Sequence, residues 1–303
     1  METLGLVLVA ALTRAQHLNL DYGLAPGDLI GPYTVDAPLG EGGMGCVYRA
    51  VGPGGECVAL KLIRADLAAE RVFRRRFDRE GQAALRVEHP HVVQVVDTGE
   101  HEGIPYMAQR FIGGGSLQDK LDREGQLSLE TVVTMCLQIA KGLGAIHEHN
   151  LIHRDLKPAN ILLDEEGSAF VGDFGLAKDT QGSLLTQPGA PLGSLHYMAP
   201  EQIQGEEVTP ATDVYALGCV VHQCLSGRPP FGDRRSMAIL WAHISDDPPD
   251  PCAARDDLPK DLGWAVASAL AKDPARRPPT AIAYARIVQA AAGSPPLSPQ
   301  STR

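Results

Sequence analysis

The chain has 303 residues, 44% hydrophobic and 21% charged, which is the composition of a globular protein with enough length for one large domain or two lobes. Its formal net charge of −10 argues against DNA or RNA as a main partner, because proteins that bind nucleic acid are normally basic. The cysteines form no C-x-x-C motif, and residues 4–12 lack the basic start of a signal peptide. We therefore expect reduced thiols, no membrane span and a cytoplasmic location.

Strand patterns dominate the first part of the chain. Residues 1–28 are predicted to form an N-terminal extension, and the β-rich segments between residues 29 and 63 are predicted to be strands, with a turn at Pro53-Gly54-Gly55. An Arg-rich helix is predicted at about residues 67–86, followed by two more strands. The Gly113-Gly114-Gly115 triplet ends this pattern and is interpreted as a hinge.

Helical spacing dominates the rest of the chain. Apolar residues recur every three or four positions between residues 129 and 146, which predicts a long helix. Thr209 and Pro210 are residue types preferred at the N-cap and the first position of a helix, and the residues after them are apolar nearly all round, as in a buried helix. The Pro/Ser-rich tail, residues 291–303, is predicted to be disordered.

A glycine pattern, G-x-G-x-x-G, occurs at Gly40, Gly42 and Gly45 and is shared by two unrelated kinds of nucleotide site. A dinucleotide site requires a helix directly after the last glycine and an acidic residue about 20 positions later. Here the segment that follows is β-rich and leads to Lys61, a cation in a predicted strand. A glycine-rich hairpin followed by a strand lysine is instead typical of a site for the phosphates of ATP.

The lysine requires an acidic partner, and Glu80 is the predicted one. Its helical face also holds three apolar residues, Phe73, Phe77 and Ala84. A carboxylate on an apolar face is expected to point inward, where an ion pair with Lys61 offsets the cost of its burial.

Polar motifs follow in the second half of the chain. His153-Arg154-Asp155 is followed five residues later by Asn160, and Asp173-Phe174-Gly175 comes soon after. With Ala199-Pro200-Glu201 further on, the series resembles the motifs of eukaryotic-like Ser/Thr protein kinases of the kind found in bacteria, over nearly the whole chain apart from its ends. The in-line phosphoryl transfer that this resemblance implies needs positioning and charge neutralisation, which such groups supply to a substrate hydroxyl and to Mg²⁺.

The resemblance implies an α+β, two-lobed protein kinase fold over residues 29–290. The N-lobe (29–112) has a small antiparallel β-sheet with one main helix, and the C-lobe (113–290) is larger and mostly helical. The implied cofactors are ATP and Mg²⁺. The implied catalytic residues are Asp155, Lys157, Asn160 and Lys61, and the implied metal ligands are Asn160 and Asp173. The residues implied for ATP binding are Leu39, Gly40, Glu41, Gly42, Gly43, Met44, Gly45, Val47, Ala59, Lys61, Glu80, Gln109, Arg110 and Ile112.

Other residues are implied to be structural or regulatory. In the family, the residue at Glu201 pairs with the arginine at Arg277, and the aspartate at Asp213 holds the backbone of the catalytic loop, which corresponds to residues 153–160 here. Candidate phosphorylation sites in the activation loop are Thr180, Ser183 and Thr186, of which Thr186 is favoured by its distance from Ala199-Pro200-Glu201. The chain departs from the family pattern at Gln109, Arg110, Ser194 and Ala216, and none of these changes removes a chemical role.

The implied function is transfer of the γ-phosphate of ATP to Ser or Thr of protein substrates, with a transient homodimer for autophosphorylation. A pseudokinase or nucleotide-binding scaffold is the alternative, disfavoured because every catalytic residue type is present. A small-molecule kinase is disfavoured by the Ala199-Pro200-Glu201 segment. Cys46, directly after the last glycine, is left open between a redox target and a small side chain tolerated in a strand.

Overall fold

The structure is a computed structural model, and it describes residues 22–42, 45–174, 192–235, 237–253 and 255–293, with residues 192–194 described by their backbone alone. The chain divides into two compact units. The first contains the described part of residues 1–85 together with residues 94–111, and the second contains residues 86–93 and the described part of residues 112–303. Most of the predicted extension, the predicted tail after residue 293 and the candidates Thr180, Ser183 and Thr186 lie outside the described residues.

A six-stranded antiparallel sheet forms the body of the first unit. Its strands are β1 (Leu29–Ile30), β2 (Tyr33–Gly42), β3 (Gly45–Val51), β4 (Cys57–Ile63), β5 (Val95–His101) and β6 (Ile104–Arg110), hydrogen-bonded in the order β1-β2-β3-β4-β6-β5. Alternate residues of these strands fill a core that includes Tyr48, Leu60 and Leu62 on one face of the sheet. In the central strands the other face is buried as well, at Lys61, Ile63 and Met107. Strand β4 lies between β3 and β6 and is therefore held by main-chain hydrogen bonds on both edges.

The end of the N-terminal extension packs against this core. Tyr22 and Leu24 are partly buried against it, and the Tyr22 hydroxyl donates a hydrogen bond to the main-chain oxygen of Ile63 at the end of β4. Residues 22–28 therefore belong to the first unit by contact as well as by sequence.

The Arg-rich segment forms two helices where the sequence predicts one. Helix α1 (Ala65–Ala69) ends at Glu70, whose extended conformation (φ −78°, ψ 111°) breaks the helical hydrogen-bond pattern, and helix α2 (Arg71–Ala84) follows directly. Periodicity alone could not show this break, because a single extended residue leaves the apolar spacing almost unchanged. Helix α2 buries Phe73, Phe77 and Ala84, as that spacing predicts.

The second unit is mostly helical. Its helices are α3 (Leu117–Glu124), α4 (Leu129–Glu148), α5 (Pro200–Gln204), α6 (Pro210–Ser226), α7 (Met237–Ser245), α8 (Asp261–Ala269) and α9 (Ala281–Ala291), with short 3₁₀ helices at Pro158–Asn160, Leu192–Tyr197 and Pro274–Arg276. A small antiparallel hairpin, β7 (Ile161–Leu163) and β8 (Ala169–Val171), completes it. The sheet-based unit and this helical unit together confirm the predicted α+β, two-lobed architecture.

Helix α4 is the core helix of the second unit. Helix α4 is long and apolar enough to cross a membrane, although the sequence analysis expected no segment of that kind. It is the one such helix in the part of the chain that the structure describes. It packs against α6, α9 and strand β8, and its side chains Ile139, Leu143 and Ile146 are almost completely buried by protein. A helix covered in this way is a buried core helix.

The glycine triplet comes directly after the division of the chain at residues 111 and 112, and its role as a hinge stays a prediction. The Gly114 amide donates to the Leu163 carbonyl oxygen at 2.9 Å, and the Leu163 amide donates to the Gly115 carbonyl oxygen at 2.8 Å. A Cβ atom at Gly114 would lie 2.4 Å from the Asp164 carbonyl oxygen, which is closer than atoms can approach. The glycine is required here because two backbone segments lie in contact.

Candidate active site

The glycine-rich hairpin is formed by the end of β2 and the start of β3. Gly40 is the cross-strand partner of Val47, and Gly42 is the partner of Gly45. A Cβ atom at Gly45 would lie 1.7 Å from the Leu62 carbonyl oxygen, so this glycine is required for the packing of β3 on β4. A Cβ at Gly40 or Gly42 would meet no atom within 4 Å. Packing therefore requires neither glycine, and both leave the hairpin backbone open to close approach by a phosphate group.

Lys61 lies in the middle of strand β4. Its cross-strand partners are Val47 on one side and Met107 on the other, and it is 8% exposed. Val47 in turn pairs with Gly40, so the register Gly40–Val47–Lys61 places the glycine hairpin and the lysine on adjacent strands. The sheet thus brings together the two features that the sequence connects only by order.

Glu80 lies on the buried face of α2 and is 6% exposed, as the apolar spacing predicts. The next residue, Gly81, packs so closely that a Cβ atom would lie 3.6 Å from Met107 Cε, and Met107 is the cross-strand partner of Lys61. The helical turn that carries Glu80 therefore packs beside the strand neighbour of Lys61. The ion pair between Glu80 and Lys61 stays a prediction.

The catalytic-loop side chains meet in the second unit. Lys157 Nζ lies 2.7 Å from Asp155 Oδ2, and Asn160 Nδ2 donates to the Asp155 main-chain oxygen at 2.8 Å and contacts Oδ2 at 3.3 Å. The 3₁₀ helix Pro158–Asn160 turns the chain back and brings Asn160 beside Asp155. The three side chains form one cluster in which a cation and an amide hold a carboxylate in a single orientation.

Asp213, near the start of α6, holds the backbone of this loop through hydrogen bonds to its carboxylate. Its Oδ2 accepts hydrogen bonds from the His153 amide (2.9 Å) and from His147 Nε2 (2.7 Å), and its Oδ1 accepts from the Arg154 amide (2.9 Å). Burial by itself would raise the pKa of Asp213, but the hydrogen bond and electrostatic interaction with His147, together with the hydrogen bond from the His153 amide, bring this pKa below its usual value. Asp213 is thus held ionised at zero exposure and fixes the backbone on either side of Arg154.

The His153 ring joins the catalytic loop to the segment that contains Asp173. Its Nε2 donates to the Gly172 carbonyl oxygen at 2.9 Å, and its Nδ1 accepts from the Asp155 amide at 3.3 Å, which fixes the Nε2–H tautomer. The Gly172 amide also donates to the Asn160 carbonyl oxygen at 2.9 Å. Arg154 and Asp173 have positive φ angles of 66° and 54°, a conformation that is rare outside glycine and is often found at functional sites.

Asn160 and Asp173 fit the requirements of a Mg²⁺ site. Both supply oxygen ligands, and the hydrogen bond between Gly172 and Asn160 ties their backbone segments together. The bond from Asn160 Nδ2 to Asp155 orients the amide so that its oxygen points away from that contact. No group of three or more His, Cys, Asp or Glu suited to a metal occurs among the described residues, and a two-ligand site suits Mg²⁺, which keeps several waters and binds phosphate oxygens.

Glu201 and Arg277 form the predicted ion pair, and every N–H group of Arg277 has a hydrogen-bond acceptor. Arg277 donates to both carboxylate oxygens of Glu201, at 2.7 and 2.8 Å, and its remaining N–H groups donate to the carbonyl oxygens of Ala211, Ala271 and Lys272. The guanidinium carbon also lies 4.9 Å from the centre of the Tyr215 ring. All five donors of the arginine are used inside the protein.

Gln202 and His147 contribute to the site and were missed by the sequence analysis. Gln202 Nε2 donates to the Arg154 carbonyl oxygen at 2.8 Å, and its Oε1 accepts from the Ala199 amide at 3.1 Å. It thereby links the Ala199-Pro200-Glu201 segment to the catalytic loop. Its position three residues after Ala199, typical of a side chain that bonds back to a helix start, is the sequence signal that could have indicated it; nothing local marks His147.

The remaining predicted ATP residues occupy several positions. Ala59 and Gln109 are cross-strand partners on β4 and β6, and Gln109 is buried. The Arg110 amide donates to the Gln94 carbonyl oxygen at 2.8 Å, whereas the Ile112 side chain packs with Val93 and Phe170 in the second unit. Leu39 is half-exposed and Glu41 is exposed on β2. Gly43, Met44 and the Ser194 side chain lie outside the described residues.

Cys46 is completely buried in the core of the first unit, in one cluster with Tyr48 and Leu60. A thiol with no exposed surface is not accessible to peroxide or to an electrophile in the folded state. The burial favours the interpretation of Cys46 as a small apolar side chain in a strand.

Comparison with protein families matches residues 33–286 to the family described as "Protein kinase domain". The chain belongs to the protein kinase family. Kinases named Ser/Thr-specific are among its relatives: "Serine/threonine-protein kinase PknH" of Mycobacterium bovis is 40% identical over 252 residues, which are 83% of this chain and 42% of that protein. "Serine/threonine-protein kinase PknB" of Mycobacterium tuberculosis is 36% identical over 283 residues, which are 91% of this chain and 45% of that protein. These relatives confirm the resemblance to bacterial Ser/Thr kinases.

A solved kinase structure is also similar. The crystal structure of the Mycobacterium tuberculosis PknI kinase domain superposes with a TM-score of 0.73 and 32% identity, covering 89% of this chain and all of that chain. This chain spans less than half the length of the two curated kinases above. The kinase fold is therefore shared over the described units, whereas the substrates and partners of this chain are matters for proposal.

Proposed function

We propose that this chain is an ATP- and Mg²⁺-dependent Ser/Thr protein kinase. The observation that carries the proposal is the contact of 2.7 Å between Lys157 Nζ and Asp155 Oδ2. A lysine two residues after the catalytic aspartate resembles the Ser/Thr-specific form of the loop, in which the lysine contacts the γ-phosphate. Family membership and the names of the relatives support the same activity.

Asp155 is proposed to orient the acceptor hydroxyl of the substrate and to accept its proton. Its Oδ2 is held by Lys157 and Asn160, so the carboxylate keeps one orientation, and we assign Oδ1 to the substrate hydroxyl. Asp213 prevents the loop from shifting by fixing the amides of His153 and Arg154. Catalysis of this kind depends on positioning and on charge stabilisation, and contributes no covalent step by the protein.

The nucleotide and the metal are assigned to residues that suit them. Gly40 and Gly42 would let backbone N–H groups approach the ATP phosphates, and Lys61 would neutralise their charge. Asn160 and Asp173 would hold Mg²⁺, which would supply positive charge to neutralise the negative charge of the transferred phosphate. We further propose a cytoplasmic location and a transient homodimer that phosphorylates its own activation segment, with Thr186 as the main acceptor.

Two observations favour this function over its alternatives. The Asp155–Lys157–Asn160 cluster has the contacts that a working catalytic loop needs, which a pseudokinase would not require. The bond from Gln202 to the Arg154 carbonyl oxygen joins the Ala199-Pro200-Glu201 segment to that loop, and small-molecule kinases generally lack this segment.

The experiment is incubation of the full chain with γ-labelled ATP and casein, followed by identification of the labelled amino acids. The proposal predicts label on Ser and Thr, none on Tyr, and loss of transfer when EDTA removes Mg²⁺. A phosphate at Thr186 whose initial rate of formation rises with the square of the enzyme concentration would support the homodimer. Label on small alcohols but not on casein would favour a small-molecule kinase. ATP binding without any transfer would favour a pseudokinase.

A further inference from the structure

A basic stripe runs along the outer face of helix α2. We use this name for Arg71, Arg75 and Arg79, which are spaced four residues apart, so that their side chains follow one another along one side of the helix. All three are exposed, the Arg79 side chain by 78%. Val72 lies beside them and is 70% exposed, more than any other large apolar residue in the described part of the chain. The stripe therefore combines positive charge with an apolar contact.

The stripe is unfavourable to the helix that carries it. Like charges at i and i+4 repel each other. Arginine in the first turn also opposes the helix dipole, which favours acidic residues at that end, and the first turn of α2 contains none. The chain as a whole carries a net charge of −10, so this concentration of arginine does not follow from its overall composition.

Contacts among the described residues do not account for the stripe. The neighbouring Arg74 pairs with Glu100 on β5, and Arg79 approaches Glu80 Oε1 only at 3.8 Å. Within the described part of the chain, Arg71 and Arg75 form no ion pair. Their charges face solvent and are free to meet a partner.

We propose that the basic stripe binds an extended acidic segment of a partner protein. Residues four apart on a helix repeat about every 6 Å along its axis. Side chains on one face of an extended peptide repeat about every 6.7 Å, because alternate residues share a face. Acidic residues at alternate positions of such a peptide therefore match Arg71, Arg75 and Arg79 one by one, and an apolar residue among them reaches Val72.

The test is direct binding of a labelled peptide to the full chain by fluorescence anisotropy. The probe is the nine-residue peptide Ser-Leu-Ser-Glu-Ser-Glu-Ser-Glu-Ser, which when extended places Leu and three Glu on one face, and its control replaces every Glu with Lys. The variant is R71E/R75E, which leaves Arg79 and its contact with Glu80 unchanged. The matched control is R123E/R286E, which changes the net charge equally at two exposed arginines of the second unit.

The proposal predicts that the Glu peptide binds and the Lys peptide does not, and that affinity falls as salt rises. R71E/R75E should weaken binding at least tenfold, whereas R123E/R286E should change it less than twofold. Because R71E places an acidic residue in the first turn of α2, the variant should melt at or above the wild-type temperature, which separates lost binding from lost folding. Equal weakening by both variants, absence of binding at 1 mM peptide, or stripe-dependent binding of anionic phospholipid vesicles instead of the peptide would overturn it.

Discussion

Removal of the Arg277 side chain should destabilise the second unit strongly. Arg277 and Glu201 form a bidentate ion pair whose side chains are 0% and 2% exposed, and Thr212 Oγ1 also donates to Glu201 Oε1 at 2.8 Å. In Arg277→Met, Glu201 keeps its buried charge and loses both charged donors. Breaking one partner of a buried pair costs about 3 to 5 kcal/mol. The carbonyl oxygens of Ala211, Ala271 and Lys272 lose donors as well.

Calorimetry of the purified chain is the assay. For a unit of this size, each kcal/mol lowers the melting temperature by about 2 to 4 °C, so Arg277→Met should melt about 6 to 20 °C lower. Arg277→Lys keeps the charge but cannot reproduce the five donors, and its loss should be intermediate.

The double variant Glu201→Leu/Arg277→Met separates the pair from its surroundings. It removes the buried charge together with its partner and should recover most of the lost stability, because an apolar replacement of a buried pair is often neutral. A loss below about 1 kcal/mol in Arg277→Met, or no recovery in the double variant, would refute the reasoning.

Three further predictions follow from single groups. In Asp213→Asn, the amides of His153 and Arg154 lose a charged acceptor, and a hydrogen bond to a charged group contributes about 1.5 to 3 kcal/mol. We expect kcat to fall about tenfold to a hundredfold with little change in KM for ATP. A kcat equal to that of wild type would contradict the role of Asp213 in holding the loop. Burial and the nearby Lys272 lower the pKa of His243 to about 3 in the folded state, against about 6.5 in the unfolded state. Because only the unfolded state takes up a proton between these two pKa values, the free energy of unfolding falls as the pH drops below about 6.5. This group should remove about 2 kcal/mol of unfolding free energy between pH 7 and pH 5, and urea titrations of His243→Asn at both pH values should lack that part of the change. Iodoacetamide should label exposed Cys57 well before buried Cys46 in the folded chain, and equal labelling rates would show that Cys46 is accessible.

Local patterns in the sequence predicted several features that the structure confirms. The burial of Glu80 follows from its spacing to Phe73 and Phe77, because side chains three or four apart share one helix face. The start of helix α6 follows from Thr209 and Pro210, whose types suit an N-cap and a first helical position. Both are properties of neighbouring residues, which a sequence displays directly.

Features that join distant backbone segments could not be predicted in this way. Arg277 donates hydrogen bonds to the main-chain carbonyl oxygens of residues 211, 271 and 272. Every residue has such an oxygen, so the residue types at these three positions do not indicate the contacts. The close packing of Gly114 on the carbonyl oxygen of Asp164 could not be predicted for the same reason. The family resemblance indicated Glu201 and Asp213, but not the contacts that Gln202 and His147 add.

The catalytic role of Asp155 is the central claim, and phosphate transfer by Asp155→Asn tests it most directly. Labelled ATP, Mg²⁺ and casein are supplied to wild type, Asp155→Asn and the control Glu165→Gln, which removes an exposed charge from the β7–β8 turn. ATP affinity is measured in parallel. The account predicts a loss of transfer of at least about a thousandfold in Asp155→Asn with ATP affinity nearly unchanged, and full activity in Glu165→Gln. Transfer by Asp155→Asn within tenfold of wild type would contradict it.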